Sequence, residues 1–110
     1  MRVRVLKPHE KSFPDSVPFR EGERVTVGRE DAEYRGWYEC TKKNGRRAWV
    51  PRDFLSGTRG SAWVTEDYNS GEMTVAEGEE VEDLRRVSGW VLCRRGGEVA
   101  WVPEAKLEPA

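Results

Sequence analysis

The sequence has few of the residues from which catalytic and metal centres are built. It contains one histidine, His9, and two cysteines, Cys40 and Cys93, which stand 53 positions apart. A metal site needs clustered ligands at short spacing, and acid–base or nucleophilic chemistry needs converging groups with a tuned pKa. No glycine-rich phosphate loop occurs either. The sequence therefore predicts a protein that is not an enzyme and has no metal site or cofactor.

Long apolar runs and an excess of one charge are also lacking. A membrane helix needs about 20 apolar residues and a secretory signal about 7–15, and the sequence has no such run. Its 19 basic and 20 acidic residues leave a net charge of −1, whereas nucleic-acid binding depends on a surplus of Lys and Arg. We therefore expect a cytoplasmic protein without membrane contact, and the balance of charge disfavours nucleic acid as a partner.

The basic residues nevertheless form two clusters, which we predict to be solvated faces of hairpins. The alternative for these clusters is binding of nucleic acid or of an acidic partner. The acidic run Glu77–Glu82 would weaken a field that attracts nucleic acid. The clusters comprise Lys42, Lys43, Arg46 and Arg47, and then Arg85, Arg86, Arg94 and Arg95.

The sequence does contain an internal repeat. The tetrapeptide AWVP occurs at 48–51 and 100–103, GWYEC at 36–40 matches GWVLC at 89–93, and FREGERV at 19–25 matches VAEGEEV at 75–81. Two modules are too few for a solenoid, so each must close its own core. We predict one module over residues 1–56 (repeat one), a linker over 57–61 and a second module over 62–110 (repeat two).

The local patterns predict strands rather than helices. The segment ERVTV alternates polar and apolar residues, and GWYEC and RRAWV are rich in aromatic and β-branched residues. Asn44-Gly45 and, at the matching place, Gly96-Gly97 indicate tight hairpins. Pro51 and Pro103 follow their strands, where a missing N–H breaks no ladder. Short strands with glycine-centred turns are typical of a small all-β barrel.

The order of the motifs resembles that of SH3 domains. In repeat two, Asp67-Tyr68, then Glu72-Met73-Thr74-Val75, Gly78-Glu79, Gly89-Trp90 and Val102-Pro103 follow the family's order. In repeat one, Phe19, Gly22-Glu23, Trp37-Tyr38, Val50-Pro51 and Phe54 do so. The resemblance implies two tandem small SH3-like β-barrels. It departs from the family where repeat one carries Lys7-Pro8-His9 in place of Asp-Tyr, and where repeat two carries Lys106 in place of a tyrosine.

The resemblance also implies candidate peptide-binding residues. In repeat one these form an apolar ridge of Trp37, Trp49, Pro51 and Phe54. In repeat two they are Tyr68, Trp90, Trp101 and Pro103, with Glu66, Asp67 and Glu72 available to a basic ligand residue. For each tryptophan the alternative is a packing role on a small barrel. We expect the groove of repeat one to bind proline better, because Lys106 offers no stacking face.

Three other residues receive structural interpretations. Cys40 and Cys93 are predicted to be reduced core residues in separate barrels, because free cysteine behaves as a small hydrophobe. His9 is predicted to be a solvated loop residue. Trp63 is a candidate for the contact between the two modules, the alternative being a plug at the end of the second barrel.

The predicted function is that of a non-catalytic protein-interaction module that binds an extended, in some cases proline-containing, peptide segment. The expected partner is a protein or peptide, and a monomer is favoured. One alternative is a structural or oligomerisation scaffold whose grooves are occluded. Nucleic-acid binding through the basic hairpins and attachment to a cell wall are further alternatives that the composition does not favour.

Overall fold

The structure is a computed structural model that describes residues 1–110. It confirms the predicted all-β class, since the chain forms eleven strands, two 3₁₀ helices and no α-helix. The 3₁₀ helices are Arg52–Phe54 and Glu104–Lys106. The strands are β1 (Arg2–Val5), β2 (Pro18–Phe19), β3 (Arg24–Glu30), β4 (Trp37–Lys42), β5 (Arg47–Pro51), β6 (Gly60–Trp63), β7 (Tyr68–Asn69), β8 (Glu80–Val87), β9 (Trp90–Arg95), β10 (Glu98–Pro103) and β11 (Leu107–Pro109).

The strands form three antiparallel sheets. One has five strands in the order β10-β9-β8-β1-β11, one has four in the order β5-β4-β3-β6, and the third pairs β2 with β7. Both hairpins that were predicted from glycine are present. Between β4 and β5, Gly45 has a φ of 89° and the Asn44 side chain accepts the N–H of Arg46 at 2.9 Å, which is the local bond that favours asparagine in turns. Gly96, between β9 and β10, has a φ of 59°.

The contacts divide the chain into two units, whose bounds differ from the predicted ones. Residues 1–16 and 71–110 form one unit, which we call the split unit, and residues 17–70 form the other, the continuous unit. The prediction of a first module over 1–56 placed β1 with the wrong strands, because β1 pairs with β8 and β11. Its valines at positions 3 and 5 are each 1% exposed there, and the burial of these side chains holds the strand in place.

The predicted linker over 57–61 is wrong in its second half. Gly60 and Ser61 open β6, which pairs antiparallel with β3 and places Ala62 opposite Val25. Leu55 then bridges Val64. The reason is again burial, since Ala62 is 2% and Val64 0% exposed.

Each unit has its own apolar core. In the split unit the core lies between the five-stranded sheet and the segment that carries Met73 and Val75. Burying a Val or Met side chain contributes about 1.5–3 kcal/mol, and this burial holds together strands of three to eight residues. The core consists of Val3, Val5, Met73, Val75, Val81, Val91, Cys93, Ala100 and Val102, with Leu107 packed against it.

Candidate functional site

The aromatic ridge predicted for repeat one lies in the continuous unit and is largely buried. Trp37 is 5%, Phe54 4% and Tyr68 6% exposed. Pro51, the cross-strand partner of Trp37, is also buried. The rings of Phe54 and Tyr68 lie 5.0 Å apart at a tilt of 58°, a geometry that stabilises aromatic pairs. These side chains therefore form part of a packed interior and do not line an open groove.

Tyr68 was predicted to serve repeat two, but it lies in the continuous unit. Its strand β7 pairs with β2, which places Tyr68 opposite Phe19. Its hydroxyl donates a hydrogen bond of 2.7 Å to the backbone carbonyl of Trp49. A buried tyrosine needs such a partner for its polar end. The bond therefore fixes Tyr68 against a strand of repeat one.

The acidic residues Glu66 and Asp67 lie in the continuous unit with Tyr68, and not with Trp90 as predicted. Asp67 is exposed, and its carboxylate accepts the backbone N–H of Glu21 at 2.8 Å. Glu66 is half-buried. One oxygen of Asp67 thus supports the adjoining turn, which is a structural use of a side chain that was predicted to meet a basic ligand.

Trp49 is the more accessible of the two tryptophans predicted for the ridge of repeat one. It is half-buried on β5, opposite Glu39 on β4. The guanidinium of Arg29 lies 5.5 Å from the centre of its ring and 3.6 Å from the Glu39 carboxylate. This cation–π contact covers one face of the indole.

In the split unit, Trp90 is half-buried and lies opposite the buried Pro103 across the β9–β10 ladder. Trp101, the second tryptophan predicted for this site, is 2% exposed. Its backbone carbonyl accepts the N–H of Met73 at 2.9 Å, and its backbone N–H donates to the carbonyl of Gly71 at 3.0 Å. Trp101 therefore belongs to the packed interior, whereas Trp90 is only half-buried.

The prediction of a solvated His9 is wrong, because the residue is 7% exposed and lies beside Trp90. The two rings meet edge to face at 5.7 Å. The His9 Nε2 atom lies 2.9 Å from Glu72 Oε1, and the Nδ1 atom lies 3.2 Å from Lys106 Nζ. The backbone of His9 also bridges that of Val75. The sequence contained a sign of this burial, because His9 in Lys7-Pro8-His9 occupies the position that Tyr68 occupies in Glu66-Asp67-Tyr68 of the other repeat.

The partners of the two ring nitrogens select one tautomer of His9. The Lys106 ammonium can only donate, so its contact requires Nδ1 to accept, and in that tautomer Nε2 donates to Glu72. The same Glu72 oxygen accepts the N–H of Ser12 at 3.0 Å, and Lys106 donates a second bond to the carbonyl of Pro8 at 3.0 Å. We call His9, Glu72, Trp90, Pro103 and Lys106 the Trp90 site.

Comparison with known families gives one match. Residues 2–56 match the model of the variant SH3 domain, which is half of the chain. The chain belongs to the variant SH3 family. SH3 domains are in general non-catalytic protein-interaction modules, so the family supports a protein partner. No solved structure matched the chain. The family match extends across the boundary at 16/17 between the two units.

The prediction that Cys40 and Cys93 are reduced core residues is confirmed. Cys40 and Cys93 are unpaired and each 0% exposed, and they belong to different units. Burial, together with the nearby Glu39 carboxylate, raises the pKa of the Cys40 thiol to about 12. Burial, with a smaller contribution from Asp83, raises that of Cys93 to about 11. Both are therefore protonated, unreactive core residues at neutral pH.

Many residues of the basic clusters are engaged in ion pairs. Lys42 lies 3.4 Å from the Glu23 carboxylate and also donates to the carbonyl of Pro18. In the split unit, Arg94 pairs with Glu82, Arg95 with Glu79 and Glu98, and Arg86 with Asp83 and Glu104. This pairing lowers the positive field chiefly in the split unit, where Arg86, Arg94 and Arg95 are all paired, and this agrees with a solvated face there.

Trp63 lies on β6 in the continuous unit and is 47% exposed. It therefore does not plug the second module. The guanidinium of Arg24, its cross-strand partner, stands 5.2 Å above its ring. The role of Trp63 between modules stays a prediction.

No helix in the structure is both long and apolar enough to span a membrane.

Proposed function

We propose that this protein binds an extended peptide segment of a protein partner at the Trp90 site. The observation that carries the proposal is the difference between the two groove tryptophans: Trp90 is half-buried, whereas Trp37 is 5% exposed. The exposed part of an indole offers a flat apolar surface for proline or another apolar residue. A proline-containing segment loses little entropy on binding because it is already extended.

The polar side of the Trp90 site supports a particular orientation of the ligand. An ammonium group has three N–H donors, and those of Lys106 already reach Pro8 and His9. A third N–H of this half-buried side chain is thus left for a carbonyl or carboxylate of the ligand. Glu72 accepts hydrogen bonds from His9 and Ser12, so its carboxylate is held in place within the Trp90 site.

The proposal is tested by titrating proline-containing peptides while the five indole N–H signals are followed by NMR. We expect the Trp90 signal to shift first and the Trp37 signal to stay. Trp90→Phe should weaken binding severalfold because the phenyl ring offers a smaller stacking surface than the indole. The matched control Trp49→Phe should leave affinity unchanged. If no indole moves at millimolar peptide, peptide binding at this site is refuted.

A second candidate function, a structural or oligomerisation scaffold, is favoured by the burial of Trp37, Phe54 and Tyr68. In this case the aromatic residues of the continuous unit stabilise the fold and have no peptide ligand. Trp37→Ala should then lower stability without changing peptide affinity. A molecular mass that rises with protein concentration and falls in the Trp37→Ala variant would favour the scaffold over the peptide-binding module.

A further inference from the structure

The two units contain the same succession of elements. Strands β3, β4 and β5 with the 3₁₀ helix Arg52–Phe54 in the continuous unit correspond to β8, β9 and β10 with Glu104–Lys106 in the split unit. The registers correspond as well, since Val27 pairs with Cys40 as Asp83 pairs with Cys93. Trp37 likewise lies opposite Pro51, as Trp90 lies opposite Pro103.

One further strand completes each unit, and it takes the same place in both. In the split unit Val3 pairs with Val81, and Val5 with Leu107. In the continuous unit Ala62 pairs with Val25, and Val64 with Leu55. Val25 and Val81 are matching positions of the two repeats, as are Leu55 and Leu107. Strand β1 and the segment 62–64 are therefore equivalent, yet each completes the unit whose remaining strands come from the other repeat.

The exchange continues into the chain that follows. His9, downstream of β1, bridges Val75 of repeat two, and Tyr68, downstream of β6, pairs with Phe19 of repeat one. Each of these two pairings joins two segments, which we call arms, and in each pairing one arm comes from repeat one and the other from repeat two. The crossings lie at 16/17 and 70/71.

We propose that both units are SH3-like and that the two sequence repeats exchange their first strand and the arm that follows it. The repeats are then not separable modules, because each supplies buried side chains that the other needs. Val3, Val5, Ala62 and Val64 are between 0% and 2% exposed. Withdrawal of either strand would expose the core of the unit that it completes.

The length of the connections gives a physical reason for the exchange. If each repeat folded on itself, His9 would pair with Phe19 and Tyr68 with Val75. His9 and Phe19 are ten positions apart, but Tyr68 and Val75 only seven. Within that shorter span Met73 must also reach the core, where it is 0% exposed. Exchange relieves this constraint, because the chain runs on from Asn69 to Glu72 without having to turn back on itself, and short strained hinge loops favour such swaps.

A cut in the full chain tests the proposal. A specific protease site inserted between Gly57 and Thr58, in the loop that precedes β6, gives fragments 1–57 and 58–110 after cleavage. With exchange, each unit contains strands from both fragments. The cleaved protein should then elute in gel filtration at the position of the uncut chain, and the fragments should separate only in denaturant. Separation into two folded half-size species in buffer would overturn the proposal.

A pair of engineered disulfides identifies the partner of β1 directly. Arg4 lies opposite Glu108 across the β1–β11 ladder, and Ser56 is the matching position of repeat one. We expect Arg4→Cys/Glu108→Cys to form an intramolecular disulfide under mild oxidation, and Arg4→Cys/Ser56→Cys to remain reduced. Cys40 and Cys93 are buried and should not compete. The reverse result, or a disulfide that links two chains, would refute exchange within one chain.

Discussion

The contact between Phe54 and Tyr68 gives a quantitative test of the packing in the continuous unit. The rings are 5.0 Å apart, and both residues are at least 94% buried, with exposures of 4% and 6%. Aromatic pairs of this kind contribute about 0.5–1.5 kcal/mol beyond the area that they bury. Phe54→Leu and Tyr68→Leu should each lower the free energy of unfolding by about 1–3 kcal/mol. The double variant should lose about 1 kcal/mol less than the sum of the two.

The measurement is urea-induced unfolding followed by circular dichroism and tryptophan fluorescence, with the slope against urea checked for constancy across the variants. The matched control replaces His9, because His9 occupies in repeat one the position that Tyr68 occupies in repeat two. Phe54→Leu combined with His9→Leu should be additive within about 0.5 kcal/mol, because the side chain of His9 contacts Glu72, Trp90 and Lys106. Coupling in the His9 cycle and none in the Tyr68 cycle would refute the assignment of these strands.

Three further predictions concern contacts within the two units. Glu72→Gln should lower the stability of the split unit by about 1–3 kcal/mol, because a charged partner of His9 is lost; thermal unfolding measures this, and an unchanged midpoint would contradict it. The thiols of Cys40 and Cys93 should resist a thiol reagent at neutral pH in the native state and react fully in denaturant. Since the folded-state pKa values, about 12 and about 11, lie above the ordinary thiol pKa of 9.0, stability should fall as pH rises from 9 towards 11–12, and Cys93→Ala should reduce that slope. Gly28→Ala should destabilise the continuous unit, because an added Cβ would stand 3.0 Å from a backbone oxygen of β4; equal urea midpoints for the variant and the wild type would show that β4 can move aside.

The sequence was a good guide to features set by short-range pattern. Alternation predicted the strands, Asn44-Gly45 and Gly96-Gly97 predicted the hairpins, and the matched positions of Cys40 and Cys93 predicted two core residues. Each of these features depends on a few neighbouring residues, so it can be predicted from one sequence without knowledge of the tertiary contacts.

Strand partners and burial could not be predicted in the same way. Val3 and Val5 fit the core of either repeat equally well by pattern, so nothing local says which sheet β1 joins. The burial of His9 depends on Glu72 and Lys106, which are distant in sequence. Trp37 and Trp90 occupy matching positions with different exposure, and a repeat pattern treats them as the same.

The two ends of the continuous unit adjoin. The N–H of Val17 donates to the Ser70 hydroxyl at 2.9 Å, and the N–H of Ser70 donates to the carbonyl of Val17 at 3.1 Å. A segment whose ends meet can be inserted into a loop of another domain without stretching either one. In chain order, the continuous unit is thus inserted into a loop of the split unit. In the exchange proposed above, the continuous unit is circularly permuted, because its first strand and the arm that follows come last. Recombination at 16/17 and 70/71 would transfer the continuous unit intact, whereas recombination at the repeat boundary would divide both units.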